Sequence, residues 1–370
     1  MPRINPEAET FARIKVFGMG GSGGNAIDHM IRSKVPGVDF VAINTDAQDL
    51  HQSLAPRKIH IGKNATRGLG AGMDPSLGRL AAEENKNEIT ELVRGVDMVF
   101  IAGGFGGGTG TGAAPIVAEI ARAEGALTVA VVTRPFAFEG SERNRIADEG
   151  LQRLREVVDA MIVIPNDRIL SMIEKKTSFL DAFSKCDEVL RQAVQGISDL
   201  ITLPGIINVD FSDIRAIMKN AGSALMGIGK ATGDDRAIQA AKQAINSPLL
   251  DLSIEGAHGV LFSVAGGDDL TMWEVNEAAK IITESIAKDA KVIFGAVKDD
   301  RLRKGELKIT VVATGFGDGY ASVIPKSPNL FSALPRKEEM LAPRAIKPTT
   351  EEEPSDEWDA IPAFLRRTKK

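Results

Sequence analysis

Cysteine is almost absent from this chain: Cys186 stands alone among 370 residues. A single thiol excludes an internal disulfide framework and a cysteine-built metal site, and it fits a reducing compartment. A basic excess is missing too. Lys and Arg number 45 against 50 Asp and Glu, a net charge of −5. Little is left over to neutralise a nucleic-acid backbone, so nucleic acid is not an expected partner. No apolar run approaches the roughly 18–20 residues of a membrane span. The opening MPRINPEAET lacks the apolar stretch of a secretory signal. These absences together predict a cytoplasmic protein with no direct membrane insertion. What is present, 43% hydrophobic and 26% charged residues over 370 positions, is ordinary globular composition, with length enough for two domains.

The first half alternates apolar runs with helix-like stretches. IKVFGM (14–19), VDFVAINT (38–45), DMVFIA (97–102), LTVAVVT (127–133) and AMIVIP (160–165) read as strands, several too continuously apolar to be half-exposed. Helical patterns lie between them at 25–32, 77–93, 114–124 and 142–157. This βαβα alternation predicts an α/β fold, a parallel sheet with helices on both faces. From 177 to 202, Phe179, Phe183, Leu190, Val194, Ile197 and Ile201 recur at helical spacing, as expected of a long central helix. A loop-like stretch at 203–214 leads into a helix at 214–220. Strands at 259–266, 291–297 and 307–315 surround a helix at 272–287, which predicts a second, smaller α/β domain. Beyond Phe316, Pro, Ser, Lys and Glu dominate and periodicity ends, so 317–355 reads as a disordered linker. In the closing EWDAIPAFLRRTKK, Trp358, Ile361, Phe364 and Leu365 share one side of a helical turn. That is the pattern of a short motif that folds onto a partner's groove, in preference to a frayed terminus with chance hydrophobes.

Glycine is concentrated where chemistry is expected. GMGGSGGN (18–25) follows a strand and opens a helix, matching G-x-G-x-x-G, and backbone N–H groups at a helix start form an anion site. Asp46 follows at the distance of a dinucleotide's ribose ligand, so an NAD-dependent oxidoreductase is one reading. A second cluster weighs against it. Seven glycines fall within 103–112, with Thr109 and Thr111 as hydroxyl donors, and no lysine stands nearby to make a G-x-x-x-x-G-K-[ST] loop. Two glycine loops on one sheet suit a nucleoside triphosphate better than a bare pyrophosphate, although some of the glycines can equally serve tight packing. An oxidoreductase also leaves His29, His51, His60 and His258 without an evident proton-transfer role.

Other candidates are acids and aromatics. Glu139 and Arg143 in PFAFEGSER suit ribose hydroxyls and a phosphate, or are plain surface charges. Asp187 lies within the apolar stripe of the long helix, where a carboxylate needs donors. Guanine offers them at N1–H and N2–H, as does a neighbouring Lys or Arg. Asn166 in IPND can complete base recognition and Phe183 can stack on the ring. In NVDFSD (208–213), Asp210 and Asp213 can orient a water for attack, while Asp213 standing alone reads as a helix N-cap.

In order along the chain, NTDAQDL, GLGAG, FIAGGFGGGTGTGAAP, PFAFEG, IPND, AVQGISDLI, INVDF, SPLL and ATGF resemble the motifs of the tubulin/FtsZ family, whose bacterial members are cell-division GTPases. The resemblance spans nearly all of 13–316 and returns at 356–367. It implies that Gly21, Ser22, Gly23, Gly24, Asn25, Gly108, Thr109 and Gly110 cradle the phosphates of GTP or GDP, with Mg2+ held through those phosphates and water rather than by a protein metal site. It further implies Glu139 and Arg143 near ribose and phosphates, and Asn166 and Asp187 on guanine. A head-to-tail homopolymer would follow, in which Asn208, Asp210 and Asp213 of one copy complete the next copy's active site. By the same likeness the chain divides into a flexible N-terminus (1–12), a GTP-binding domain (13–176), a connecting helix (177–202), an assembly domain (203–316), a linker (317–355) and a peptide (356–370). Through 356–367 that peptide would bind membrane tethers and regulators of a midcell division ring. Ser22 departs from the family's usual glycine and adds a hydroxyl. The linker is short for the family, and Trp358 enlarges the tail's apolar anchor. A tubulin-like protein that binds GTP without hydrolysing it is a further reading.

Overall fold

Continuous apolar runs need cover on both sides, and the computed structural model supplies it. It describes residues 12–170, 173–174, 176–203, 205–247, 254–299 and 301–316, and the expectations for the N-terminus, the linker and the terminal peptide lie outside them. Eleven strands are formed among the described residues: β1 (Ile14–Met19), β2 (Val38–Asn44), β3 (Arg57–His60), β4 (Met98–Gly104), β5 (Leu127–Arg134), β6 (Ala160–Pro165), β7 (Gly205–Ile207), β8 (Gly222–Thr232), β9 (Gly259–Gly266), β10 (Lys291–Lys298) and β11 (Glu306–Thr314). The helices are α1 (Gly20–Arg32), α2 (Ala47–Gln52), α3 (Lys63–Thr66), α4 (Pro75–Glu84), α5 (Lys86–Val93), α6 (Gly108–Ala123), α7 (Ser141–Val157), α8 (Asn166–Leu170), α9 (Phe179–Thr202), α10 (Phe211–Met218), α11 (Arg236–Ile245) and α12 (Met272–Glu284).

The strands lie in the order β3-β2-β1-β4-β5-β6-β8-β11-β9-β10-β7. The first six are mutually parallel, and the order reverses between β1 and β4. An open doubly wound sheet binds ligands in the crevice at that switch point, beyond the carboxyl ends of the strands. Strand β4 shows why the runs are apolar throughout. Met98, Phe100 and Ala102 enter one core with α1 and α9, while Val99 and Ile101 enter the other with α4 to α7. The second half is mixed: β8, β11 and β9 pair antiparallel, β9 and β10 parallel. Its own core includes Phe262, Val264, Ile309 and Val311. The two halves meet where β6 pairs with β8 over three residues, Ala160–Ile162 against Gly222–Ala224.

Several elements differ from expectation. The stretch 77–93 is two helices, broken at Asn85, whose side chain accepts from Gly62 N and donates to Glu88. Strand β8, GSALMGIGKAT, carries three glycines and no clean alternation. Gly229 needs its bare Cα, because a Cβ there would lie 1.9 Å from Ala240 O on α11. That helix was equally hidden, its buried face built from Ala237, Ala240, Ala241 and Ala244.

Candidate functional site

At the switch point α1 begins directly beyond β1, and α6 begins after three residues, Phe105–Gly107, beyond β4. Both glycine clusters are therefore first turns of helices more than loops. Neither start has an acidic residue in its first turn, and neither cap residue, Met19 or Gly107, caps with its side chain. Gly108 N donates to Gly72 O at 2.7 Å; the other leading N–H groups of the two helices are left for another partner, and both positive dipole ends face the same place. A Cβ on Gly20, which has a φ of +66°, would lie 3.3 Å from Gly110 N, so the two turns approach within contact. The cavity in front of them is about 280 Å³, lined by Gly20, Gly21, Ser22, Gly104, Gly107–Gly110, Glu139, Arg143, Asn166 and Phe183, among others. It is an anion cradle without a lysine.

The glycines divide by task. Gly108 and Gly110 front the cavity, but a Cβ on Gly112 would lie 2.0 Å from Pro75 O, and one on Gly78 2.2 Å from Gly108 O. Part of the run thus lets α4 and α6 pack backbone to backbone. Gly23 is on the buried face of α1, where a Cβ would be 2.6 Å from Ala102 O, and it does not line the cavity. Gly24 and Asn25 face the adjoining cleft with Asp28, Arg32 and Asn44. Thr109 Oγ1 is 2.6 Å from Thr45 Oγ1. Thr111, in contrast, is buried and accepts from Gly106 N at 2.9 Å, closing its own turn instead of offering a hydroxyl to a ligand.

Glu139 ends a short 3₁₀ turn (Ala137–Glu139), where it accepts from Phe136 N and, at 2.7 Å, from Arg143. That pair fixes both side chains on the cavity wall. Asn166 opens α8 at the end of β6; it is buried, and its Oδ1 has no hydrogen-bond partner. A buried polar atom left unpaired costs about 1–3 kcal/mol, so this one points to an absent partner. Phe183 stands in an aromatic cluster with Phe136, edge to face at 5.3 Å, and Phe179 at 4.9 Å. Phe179 is 65% exposed; the buried stripe of α9 starts at Ala182 and runs through Cys186, Leu190 and Ile197, so the first aromatic of the expected stripe lies outside the core. Asp187, one turn beyond Phe183, makes no hydrogen bond among the described residues. Burial pushes its carboxyl up to about 6, against the lowering influence of His29 and Arg32.

Asp46 accepts from Gln48 N and Asp49 N as the N-cap of α2. The carboxylate proposed for a dinucleotide ribose is spent on a helix end. Asn208, Asp210 and Asp213 stand well away from the cavity. Asn208 accepts from Gly205 N, and Asp210 is the cap residue of α10 without a side-chain cap bond. Asp213 is exposed inside the first turn, so it is not the N-cap. Helix α10 touches the sheet through Arg215, which donates to Gly125 O just before β5. The cavity lies at the other end of that strand, whose eight residues span about 26 Å at roughly 3.3 Å each. Among the described residues, no three His, Cys, Asp or Glu side chains converge to hold a metal, and no helix is long and apolar enough to cross a membrane.

A doubly wound sheet with a two-helix anion cradle at its switch point, continued by a long helix into a mixed-sheet half, defines a nucleotide-binding α/β protein. The GTPase-domain model of the Tubulin/FtsZ family matches residues 13–174, and that of the FtsZ family C-terminal domain matches 222–317. FtsZ from M. jannaschii, solved as an empty dimer, superposes with a TM-score of 0.79 at 46% identity, covering 83% of this chain and 89% of its own. A point mutant of that protein gives 0.79 at 47% identity, covering 83% and 92%. CetZ2 from Haloferax volcanii shares the fold at a TM-score of 0.70 and 21% identity, covering 81% and 92%. The chain belongs to the tubulin/FtsZ family, on its FtsZ side, and the GTPase domain it carries implies guanine-nucleotide binding.

Proposed function

We propose that this protein hydrolyses GTP and polymerises head to tail, the acids of one copy completing the nucleotide site of the next. The observation that carries the reading is the separation of parts. Asp210 and Asp213 are exposed at the opposite end of β5 from the anion cradle, out of reach of their own chain's nucleotide. A second copy stacked along that axis brings them to it. The solved dimer of the M. jannaschii relative accords with self-association.

In this reading Gly21, Ser22 and Gly108–Gly110, which front the cavity, hold the phosphates, through the leading N–H groups of α1 and α6 other than that of Gly108, which Gly72 O takes. Glu139 and Arg143, already paired, meet ribose and phosphate. The unpaired Asn166 Oδ1 and the Asp187 carboxylate take guanine's donors, an arrangement adenine would meet with an acceptor at N1, and Phe183 stacks on the ring. Mg2+ is held through phosphates and water. Asn208, Asp210 and Asp213 orient and polarise the attacking water, giving GDP and phosphate. Residues 13–176 serve as the binding domain, 177–202 as the connecting helix and 203–316 as the assembly domain. The polymer forms a cytoplasmic division ring at midcell, tethered to the membrane by 356–367.

The test is GTP turnover per chain against protein concentration, with polymer sedimented from the same samples. Turnover is expected to rise above a threshold concentration as polymer appears. Turnover independent of concentration overturns the shared site. Mixing Asp213→Ala with Asp187→Ala is expected to restore part of the activity that each lacks alone, because an intact acid loop then meets a bound nucleotide.

A further inference from the structure

A second concave site lies at the end of the sheet remote from the cradle. It is about 210 Å³, lined by Arg122, Asp159, Arg215, Lys219 and Asn220 with the backbone of Gly125–Leu127. Three cations face one carboxylate, and that carboxylate is already committed. Asp159 accepts from Thr128 N at 2.9 Å and Asn220 N at 3.3 Å, with Arg122 Nε 4.0 Å away. Arg122 is likewise engaged, by Asn220 Oδ1 at 2.5 Å and Glu156 O at 3.3 Å. The other two cations are not. The Arg215 guanidinium gives a single bond, to Gly125 O at 3.1 Å, and the Lys219 side chain forms no hydrogen bond or ion pair among the described residues, its backbone N–H alone bonding Arg215 O. Arg215 lies in the last turn of α10 and Lys219 is its C-cap residue, so two like charges that repel stand at one helix end. Both open onto the same hollow with spare donors, and an anion between them reverses that repulsion.

We propose that this hollow is an anion site distinct from the nucleotide cradle, and that it takes a small phosphate-class ligand. A guanidinium fork, an ammonium and an already oriented second guanidinium match the several oxygens of a phosphate or diphosphate better than the single edge of a carboxylate. The site stands whether or not the acids of α10 act on a neighbouring copy.

Inorganic pyrophosphate is the probe, titrated by calorimetry and phosphorus NMR into the full chain saturated with GDP, so that the cradle is filled. One pyrophosphate per chain is expected. Lys219→Gln and Arg215→Ala should each weaken it by about tenfold or more, the value of one charge-assisted contact. Lys219 is exposed, so its variant keeps the fold, which a thermal melt checks. No binding with GDP in place, equal binding of citrate, or unchanged affinity in both variants overturns the proposal. The last result accompanied by a lower melting temperature would assign the cations to the C-terminal dipole of α10 instead.

Discussion

Asp187 carries a pH signature. Its carboxyl, raised to about 6 by burial, sits above its unfolded value near 3.8, so its ionisation weakens the nucleotide-free chain. The nucleotide-free protein therefore gains stability from this group as pH falls from about 6 toward 4, whereas pairing with guanine needs the charged form. GTP affinity is expected to fall as pH drops through about 6, measured by equilibrium binding between pH 5 and 8. Asp187→Asn should bind weakly at every pH and lose that dependence. Glycine gives a second test at this scale. Gly112→Ala places a methyl against Pro75 O and should cost about 1–3 kcal/mol in urea unfolding. Gly24, with nothing within 4 Å of its Cβ position, should tolerate alanine and gain up to about 1 kcal/mol of helix propensity. Both residues belong to the same sequence texture, which is why composition marked an anion site yet did not separate cradle from packing surface.

Among the elements, α9 does more than connect. Along one face Glu188 accepts from His29 on α1 at 2.9 Å and from Arg191 and Gln192, Arg191 bonds Gln195, Gln195 donates to Asp199 at 3.0 Å, and Arg301 reaches Asp199 at 2.9 Å. Burial raises Glu188, but the donors Arg191 and His29 outweigh it and hold the carboxyl down at about 2. Asp199, buried with its Oδ1 unpaired, is pushed up by burial against the pull of Arg301 and Lys308. Arg301→Ala should destabilise the chain by about 1–3 kcal/mol, the cost of depriving a buried acceptor of a donor, with Arg301→Lys intermediate; chemical denaturation checks both. The helix itself was legible in its apolar spacing. This polar face was not, since its outside partners, His29 on α1 and Arg301 beyond β10, are distant in sequence and meet it only in the folded chain. The short β3 and the glycine-bearing β8 were hidden for a related reason: their partners, not their own side chains, make them strands.

At the scale of the molecule, the expected parallel sheet with helices on both faces and the second, smaller unit are present, and the acids are as far from the cradle as one strand allows. Asp213→Ala is expected to leave GTP affinity unchanged and to lower turnover by about 10²-fold or more, the usual worth of a positioned acid or base. Loss of binding together with turnover would make the acid structural instead. Ordered motifs led to this assignment because they fall at different kinds of constraint in one sequence order: backbone turns at the cradle, the side chains of Glu139 and Asn166 on its wall, the Asp46 cap and the buried face of α9.

The three-residue pairing of β6 with β8 has a mechanical consequence. Ladders of seven or eight residues follow it through β8, β11, β9 and β10, so any shear between the halves concentrates on the few hydrogen bonds at Ala160–Ile162. Amides there should exchange with solvent faster than those of β4 and β5, marking the line along which the molecule flexes.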